Sequence, residues 1–256
     1  MKIGFIGMGN MARAIVEGWL RANAIRAEEI YAVAKHYEKL CAYAKTAGIH
    51  ATETAREVVN TADCIVIAVK PDVVESVLPE LDLKKPILSV ATGWTCERYL
   101  QHLNAARVQY ILPNTPCKVN QGILLFEENN TLSDSEQRQA RTLFGTLGMI
   151  ETLPSAKMTA ATAISGCGPA FAAMVIESLA DAGVKYGLPR ETAYRLTSQM
   201  LVGTGRLQLE TGLHPGILKD AVCSPGGSTI RGVEALEAHN LRSAMMAAVK
   251  AVEEFY

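Results

Sequence analysis

Two hydrophobic grammars divide this chain. From Met1 to Leu153, short continuous apolar runs alternate with stretches whose apolar residues recur at helical spacing. The strand-like runs are residues 2–7 (KIGFIG), 30–34 (IYAVA), 64–69 (CIVIAV), 86–90 (PILSV), 108–112 (VQYIL) and 123–126 (ILLF). Residues 12–19 and 40–47 carry the helical spacing between them. A strand without a polar face must be covered on both sides, and intervening helices provide that cover. The first half therefore predicts a parallel sheet in a doubly wound α/β domain.

Beyond residues 152–157 (TLPSAK) the strand pattern stops. Ala-, Met- and Leu-rich helical segments occupy 170–186, 191–209 and 241–255, separated by Gly-Leu-Pro, His-Pro-Gly and Ser-Pro-Gly-Gly. An all-α second domain, 154–256, is predicted after a first domain of 1–153, with the boundary near Pro154. Its helices are apolar over wide faces, as in PAFAAMVIESLADAG. Such a helix is either central in its own bundle or shared with another subunit. A domain this small has little interior in which to hide it, which favours a homodimer with intertwined helices.

Composition narrows the partners. With 49% hydrophobic and 20% charged residues the chain is globular, and a net charge of −1 leaves no electrostatic footprint for nucleic acid or an anionic membrane. The longest aliphatic run, 64–69, falls far short of the roughly 20 residues of a membrane span. Gly7, Gly9 and Asn10 interrupt the N-terminal apolar stretch before the core of a secretory leader forms. The six cysteines, at 41, 64, 96, 117, 167 and 223, include no C-x-x-C pair and suggest neither a zinc site nor a disulfide framework. A reduced, cytoplasmic setting is expected, with small molecules and copies of itself as partners, and neither nucleic acid nor membrane.

Gly7-Met8-Gly9-Asn10-Met11-Ala12 is G-x-G-x-x-A, directly after the first strand and at the opening of the first helix. Gly7 permits the tight turn, Gly9 lets backbone approach a pyrophosphate, and Ala12 permits close helix–strand packing. The helix start offers unpaired N–H groups and a positive dipole end. These features mark the first domain as a Rossmann-like dinucleotide-binding fold. Where NAD-binding domains place Asp or Glu for the ribose diol, this chain has Ala34-Lys35-His36 and no carboxylate before Glu38. Lys35 and His36 suit a 2′-phosphate, so NADPH is favoured without excluding NADH. Two later strand ends, AVKPD (68–72) and LPNTP (112–116), combine proline-fixed backbone with polar groups at the carboxyl edge of the sheet. Ala68, Val69, Lys70, Pro71 and Asn114 are therefore expected around the ribose and nicotinamide.

A second glycine loop lies near the C-terminus. Ser224-Pro225-Gly226-Gly227-Ser228-Thr229 precedes a segment with Ile230, Val233 and Leu236 at helical spacing. N–H groups at a glycine-permitted bend leading into a helix form an anion site, and Ser224, Ser228 and Thr229 add hydroxyls. With no basic residue inside it, the loop suits one carboxylate better than a chain of phosphates. A capped interhelical turn would use the same residues, and the loop alone does not decide between them.

CSPGGSTIRGVEALE, with upstream HPGILKDAV, resembles the signature of the pyrroline-5-carboxylate reductases. The likeness continues through ISGCGPAFAAMVIESLADAGVKYGLPR (164–190), LPNTP, AVKPD and GFIGMGNMA, in order over essentially the whole chain. The resemblance implies a dinucleotide-binding N-terminal domain and helical domains interleaved as a dimer, often assembled into decamers. It implies hydride transfer from NAD(P)H to the C=N bond of 1-pyrroline-5-carboxylate, giving L-proline in the last step of proline biosynthesis. By the same resemblance Ser224, Gly226, Gly227, Ser228 and Thr229 hold the substrate carboxylate, in a site often completed by the partner subunit. The Thr229 hydroxyl then reaches the ring nitrogen as the catalytic group, and Pro169 packs against the ring.

Three positions depart from the family pattern: Cys167 and Phe171 replace Ser and Tyr, and Ser228 stands where Thr or Ala is common. They bear on hydroxyls near the pocket rather than on the reaction. No base sits beside Cys167 in sequence, and it reads as a small packing residue. The rival 3-hydroxyacid dehydrogenases share the N-terminal fingerprint but carry a Lys on the first long helix of the second domain, and GPAFAAMVIES has none. A non-catalytic NADP-binding protein would have little use for the second loop. None of the five histidines shows metal-ligand spacing, so no metal is expected; His214, in HPG, reads as a helix-start or interface residue.

Overall fold

Ile3–Ile6 (β1) is buried at every position, and the chain turns at Gly7 directly into Asn10–Arg21 (α1). The computed structural model describes residues 1–82, 84–104 and 106–255. In it the strand-then-helix unit recurs as Ile30–Val33 (β2), Tyr37–Ala47 (α2), His50–Ala51 (β3), Ala55–Thr61 (α3) and Cys64–Ile67 (β4). Val74–Val77 (α4), Ile87–Ser89 (β5), Cys96–His102 (α5) and Val108–Pro113 (β6) continue it. Gly122–Asn130 (β7), Asp134–Gly145 (α6), Gly148–Leu153 (β8) and Met158–Ser165 (α7) follow. The strands form one sheet in the order β3-β2-β1-β4-β5-β6-β7-β8.

Strands β1 to β6 are parallel, as the pattern predicts, but β7 runs antiparallel to β6 and β8 parallel to β7. The reversal has a simple cause. Only a 3₁₀ turn, Thr115–Val119, fits between β6 and β7, and a parallel return needs a crossover of roughly a dozen residues or more. Strands β3 and β8 were not anticipated: the first is two residues long, and the second has no continuous apolar run and is partly exposed along its length.

Alternate residues of the central strands feed two cores, one on each face of the sheet. Phe5 and Val66 point to one with Trp19, Phe126 and Phe144, while Ile6 and Ile67 point to the other with Val58, Trp94 and Tyr99. Trp19 meets Phe144 edge-on at 5.3 Å and donates from its indole N–H to the Leu143 carbonyl at 3.1 Å, which locks α6 to α1.

Two compact units result, Met1–Gly166 and Cys167–Tyr256. Helix α7 belongs to the first because Met158 packs with Tyr110, Leu112 and Leu125. The second unit, in its described residues, is all helix: Gly168–Lys185 (α8), Arg190–Thr211 (α9), Pro215–Ala221 (α10), Ser228–Ala238 (α11) and Leu241–Glu253 (α12). Gly212, in the left-handed region, stops α9, and the His214 ring Nδ1 accepts the Gly216 N–H at 3.0 Å to start α10. Large apolar side chains, among them Met174, Val202, Leu209 and Met246, stand exposed. The stretch Ser155–Lys185 is long and apolar enough to cross a membrane by length and composition. It forms no continuous aliphatic run, because Thr, Ser and Gly interrupt its apolar residues.

Candidate functional site: a dinucleotide cleft and a carboxylate loop

The carboxyl edge of the parallel strands carries the first site. Gly7 has a φ of +100°, and a Cβ on it would lie 2.5 Å from the Ala68 carbonyl oxygen and 2.8 Å from the Val69 nitrogen. Glycine is therefore required twice over, by backbone conformation and by the close approach of the β4 end. Gly9 is the N-cap of α1 and supplies no capping side chain. A Cβ on Gly9 would meet nothing within 4 Å, so the space before the free amides of the helix start is open. That open cradle fits the pyrophosphate of a dinucleotide.

A cleft of about 520 Å³ spreads from this cradle, lined by Gly7, Met8, Gly9, Lys35, His36, Ala68, Val69 and Lys70 of the expected residues. The other four lie off its wall. Asn10 is the exposed first residue of α1, and Met11 packs on the core. The Pro71 carbonyl accepts the indole N–H of buried Trp94 at 2.9 Å, which fixes the loop after β4. The Asn114 amide is spent inside the protein: its Nδ2 donates to the Ser165 carbonyl at 2.9 Å and its Oδ1 accepts the Ile123 N–H at 2.8 Å.

Two cations on the wall were missed by sequence reasoning, Arg13 of α1 and Lys39 of α2. The available signal was their phase: Arg13 falls one turn beyond Gly9, and Lys39 one turn beyond Lys35. The Arg13 guanidinium lies over the Tyr43 ring, 4.7 Å from its centroid. Burial, with Glu17 nearby, pushes the Tyr43 phenol up to about 12, so it remains neutral.

The second glycine loop forms its own site in the helical unit. Gly226 has a φ of +68°, and its neighbour Gly227 is the extended N-cap of α11, again without a capping side chain. The Gly227 N–H donates to the Ser224 carbonyl at 3.0 Å, closing the bend. A Cβ on Gly227 would collide with the Ser224 Oγ. The exposed hydroxyls of Ser224, Ser228 and Thr229 make no hydrogen bond within the described chain, which leaves them and the first-turn amides facing solvent. Pro169 lies half-buried in the first turn of α8, and Cys167 occupies the N-cap of that helix without a capping bond.

A glycine cradle on a Rossmann-like sheet, followed by an all-α unit with an uncapped, open helix start, fits the class of two-domain nicotinamide-dinucleotide oxidoreductases. Comparison with known proteins is consistent along the whole length. Residues 155–255 match the family described as pyrroline-5-carboxylate reductase dimerisation, and residues 2–93 match NADP oxidoreductase, coenzyme F420-dependent. The chain is 43% identical over 259 residues to the pyrroline-5-carboxylate reductase of Treponema pallidum, covering 98% of each. It is 37% identical over 253 residues to that of Escherichia coli, covering 97% of this chain and 94% of the relative. A crystal structure of Plasmodium falciparum pyrroline carboxylate reductase with NADP bound superposes with a TM-score of 0.89, at 32% identity, over 99% of this chain and 96% of that one. The chain belongs to the pyrroline-5-carboxylate reductase family. Its dimerisation match makes it an oligomer.

Proposed function

We propose that this protein reduces the C=N bond of 1-pyrroline-5-carboxylate with NADPH, giving L-proline. The observation that carries this reading is the α11 loop, a helix start with three free hydroxyls and no Lys, His, Asp or Glu between Ser224 and Thr229. An imine is basic enough to take its proton from water, so the protein needs no tuned acid of the kind a ketone reductase employs. Its share of the chemistry is placement, and a bound near-attack geometry contributes roughly 7–11 kcal/mol.

Gly7, Gly9 and the α1 amides would hold the pyrophosphate, Lys35 and His36 the 2′-phosphate, and Ala68 to Lys70 the ribose side of the cleft. Bound there, NADPH supplies the hydride. The amides of Ser228 and Thr229 and the hydroxyls of Ser224 and Ser228 bind the substrate carboxylate. The Thr229 hydroxyl orients the ring nitrogen and passes its proton, and Pro169 packs against the ring. Asn114 serves by holding the loop after β6 in place, since its amide is already paired.

Residues 154–256 then act as the substrate-binding and dimerisation domain, a reading supported by the start of the dimerisation match at residue 155. The assembly is a homodimer able to build a decamer from five dimers. Its setting is cytoplasmic, which the free state of all six cysteines supports.

The deciding experiment is NADPH oxidation by the purified protein with pyrroline-5-carboxylate, beside a panel of 3-oxoacids. Turnover is expected only with the imine, and activity confined to the 3-oxoacids would overturn the assignment. Gly227→Val is expected to raise the KM for pyrroline-5-carboxylate, because its side chain displaces the Ser224 hydroxyl and fills the approach to the amides. An unaltered KM would remove the loop from the substrate site.

A further inference from the structure

Arg13 is placed as no ordinary surface arginine is. It lies one turn inside α1, beyond the amides that face the pyrophosphate, and reaches across to α2, where its guanidinium covers the Tyr43 ring at 4.7 Å. Its Nε is buried without a hydrogen-bond partner, and so is the neighbouring Tyr43 hydroxyl. Buried polar atoms are nearly always paired, and an unpaired one calls for a missing partner. The natural internal partner would be Glu17, four residues on along the same helix. Glu17 is instead drawn away to Lys118 at 2.8 Å. Among the described residues Arg13 makes no ion pair, and neither do Lys35 and Lys39.

Charge around the cleft points the same way. Arg13, Lys35, Lys39 and Lys70 line it against one carboxylate, Asp72. Arg13 of α1 and Lys39 of α2 line the cleft with Lys35, which precedes α2, and Lys70 lies at the β4 end. A planar guanidinium fixed by stacking, with no partner for its terminal nitrogens within the described residues, matches a phosphate group better than a flexible lysine does. The pyrophosphate belongs to Gly9 and the helix start, so the anion left for Arg13 is the phosphate on the adenosine ribose.

We propose that Arg13, held against Tyr43, is the residue through which this chain distinguishes a 2′-phosphorylated dinucleotide from an unphosphorylated one, with Lys39 as its second cation. This rests on the assignment of the cleft to a nicotinamide dinucleotide. It goes beyond Lys35 and His36 by moving the discrimination from the end of β2 to the facing flanks of α1 and α2. Arg13 is a binding residue in this scheme and Tyr43 a positioning residue.

The test is calorimetric titration of the full-length protein with 2′,5′-ADP and with 5′-AMP, two fragments that differ by the phosphate in question and undergo no reaction. Arg13→Gln is expected to weaken 2′,5′-ADP by about tenfold to a hundredfold, the range of a charge-assisted hydrogen bond, and to leave 5′-AMP within about twofold. Arg13→Lys keeps the charge without the planar fork and is expected to fall between wild type and Arg13→Gln. Tyr43→Leu, which removes the platform, is expected to weaken 2′,5′-ADP selectively but less than Arg13→Gln does. In steady-state turnover the same variants should raise the KM for NADPH relative to NADH with kcat preserved. A ratio of the two fragments that is unchanged in Arg13→Gln and Arg13→Lys overturns the proposal and returns discrimination to Lys35 and His36. Wild-type protein that binds neither fragment overturns the dinucleotide reading of the cleft, and the proposal falls with it.

Discussion

Gly7 and Thr229 fail differently when changed, because one is held by the protein and the other is held out from it. An alanine at position 7 would occupy a left-handed backbone, at a cost of about 1–3 kcal/mol, and would press on the Ala68 carbonyl. Gly7→Ala is therefore expected to lower the urea midpoint and abolish dinucleotide binding, measured by chemical unfolding and by fluorescence titration. Thr229 makes no bond within the chain, so Thr229→Ala should leave stability within about 0.5 kcal/mol of wild type. Its expected effect is a loss of turnover with pyrroline-5-carboxylate, on the order of 10², with NADPH binding intact. Unchanged turnover would exclude Thr229 from the mechanism. The glycines of both loops were legible because their spacing is local to one turn. Arg13 was not, because a lone arginine on an amphipathic helix reads as a solvated face, and only its stacking on Tyr43 of α2 shows it on the cleft wall.

At the scale of elements, Glu127 shows how a strand can hide in its own sequence. The apolar run ends at Phe126, yet β7 continues through Glu127 to Asn130. Glu127 is 1% exposed. Its carboxylate accepts the Cys96 N–H at 2.8 Å, at the first residue of α5, and the Ser155 hydroxyl at 2.6 Å, where the turn after β8 begins. A buried acid bonded in this way at a helix start is a structural clamp, but in one dimension it looks like the polar residue that ends a strand. Glu127→Ala leaves both donors unpaired and is expected to cost about 2–5 kcal/mol, read as a shift in the unfolding midpoint. Glu127→Gln, which keeps an acceptor, should cost less. Equal stability of both variants and wild type would show that the clamp is dispensable. The strand β8 escaped notice for the complementary reason, since a partly exposed edge strand lacks the apolar run used to find its neighbours.

At the scale of the whole chain, the division into an α/β unit and a helical unit was legible because hydrophobic periodicity changes from one half to the other. The packing of α7 was not, because its Ala-rich sequence resembles the helices that follow it, while Met158 is claimed by Tyr110, Leu112 and Leu125 of the sheet. The exposed apolar residues of the helical unit carry the prediction that belongs here. Val202 and Leu209 lie seven residues apart on α9, on one face, and both are strongly exposed. The double variant Val202→Asp, Leu209→Asp is expected to sediment as a smaller species than wild type and to lose thermal stability. An unchanged sedimentation coefficient would take this face of α9 out of the subunit interface.

The two reversed strands at the end of the sheet settle a matter of routing. Because β7 and β8 run against the other six, the chain finishes β8 at the edge away from the nucleotide cradle. It then has one helix, α7, in which to travel back. That return journey ends with the Ser165 carbonyl on the Asn114 side chain, just past the carboxyl end of β6. Had β8 run with the majority, the same helix would have carried the chain to the opposite rim. The first compact unit therefore ends, at Gly166, on the rim of the sheet that also carries the nucleotide cradle. A graft of any other helical module onto this junction would inherit the same point of departure.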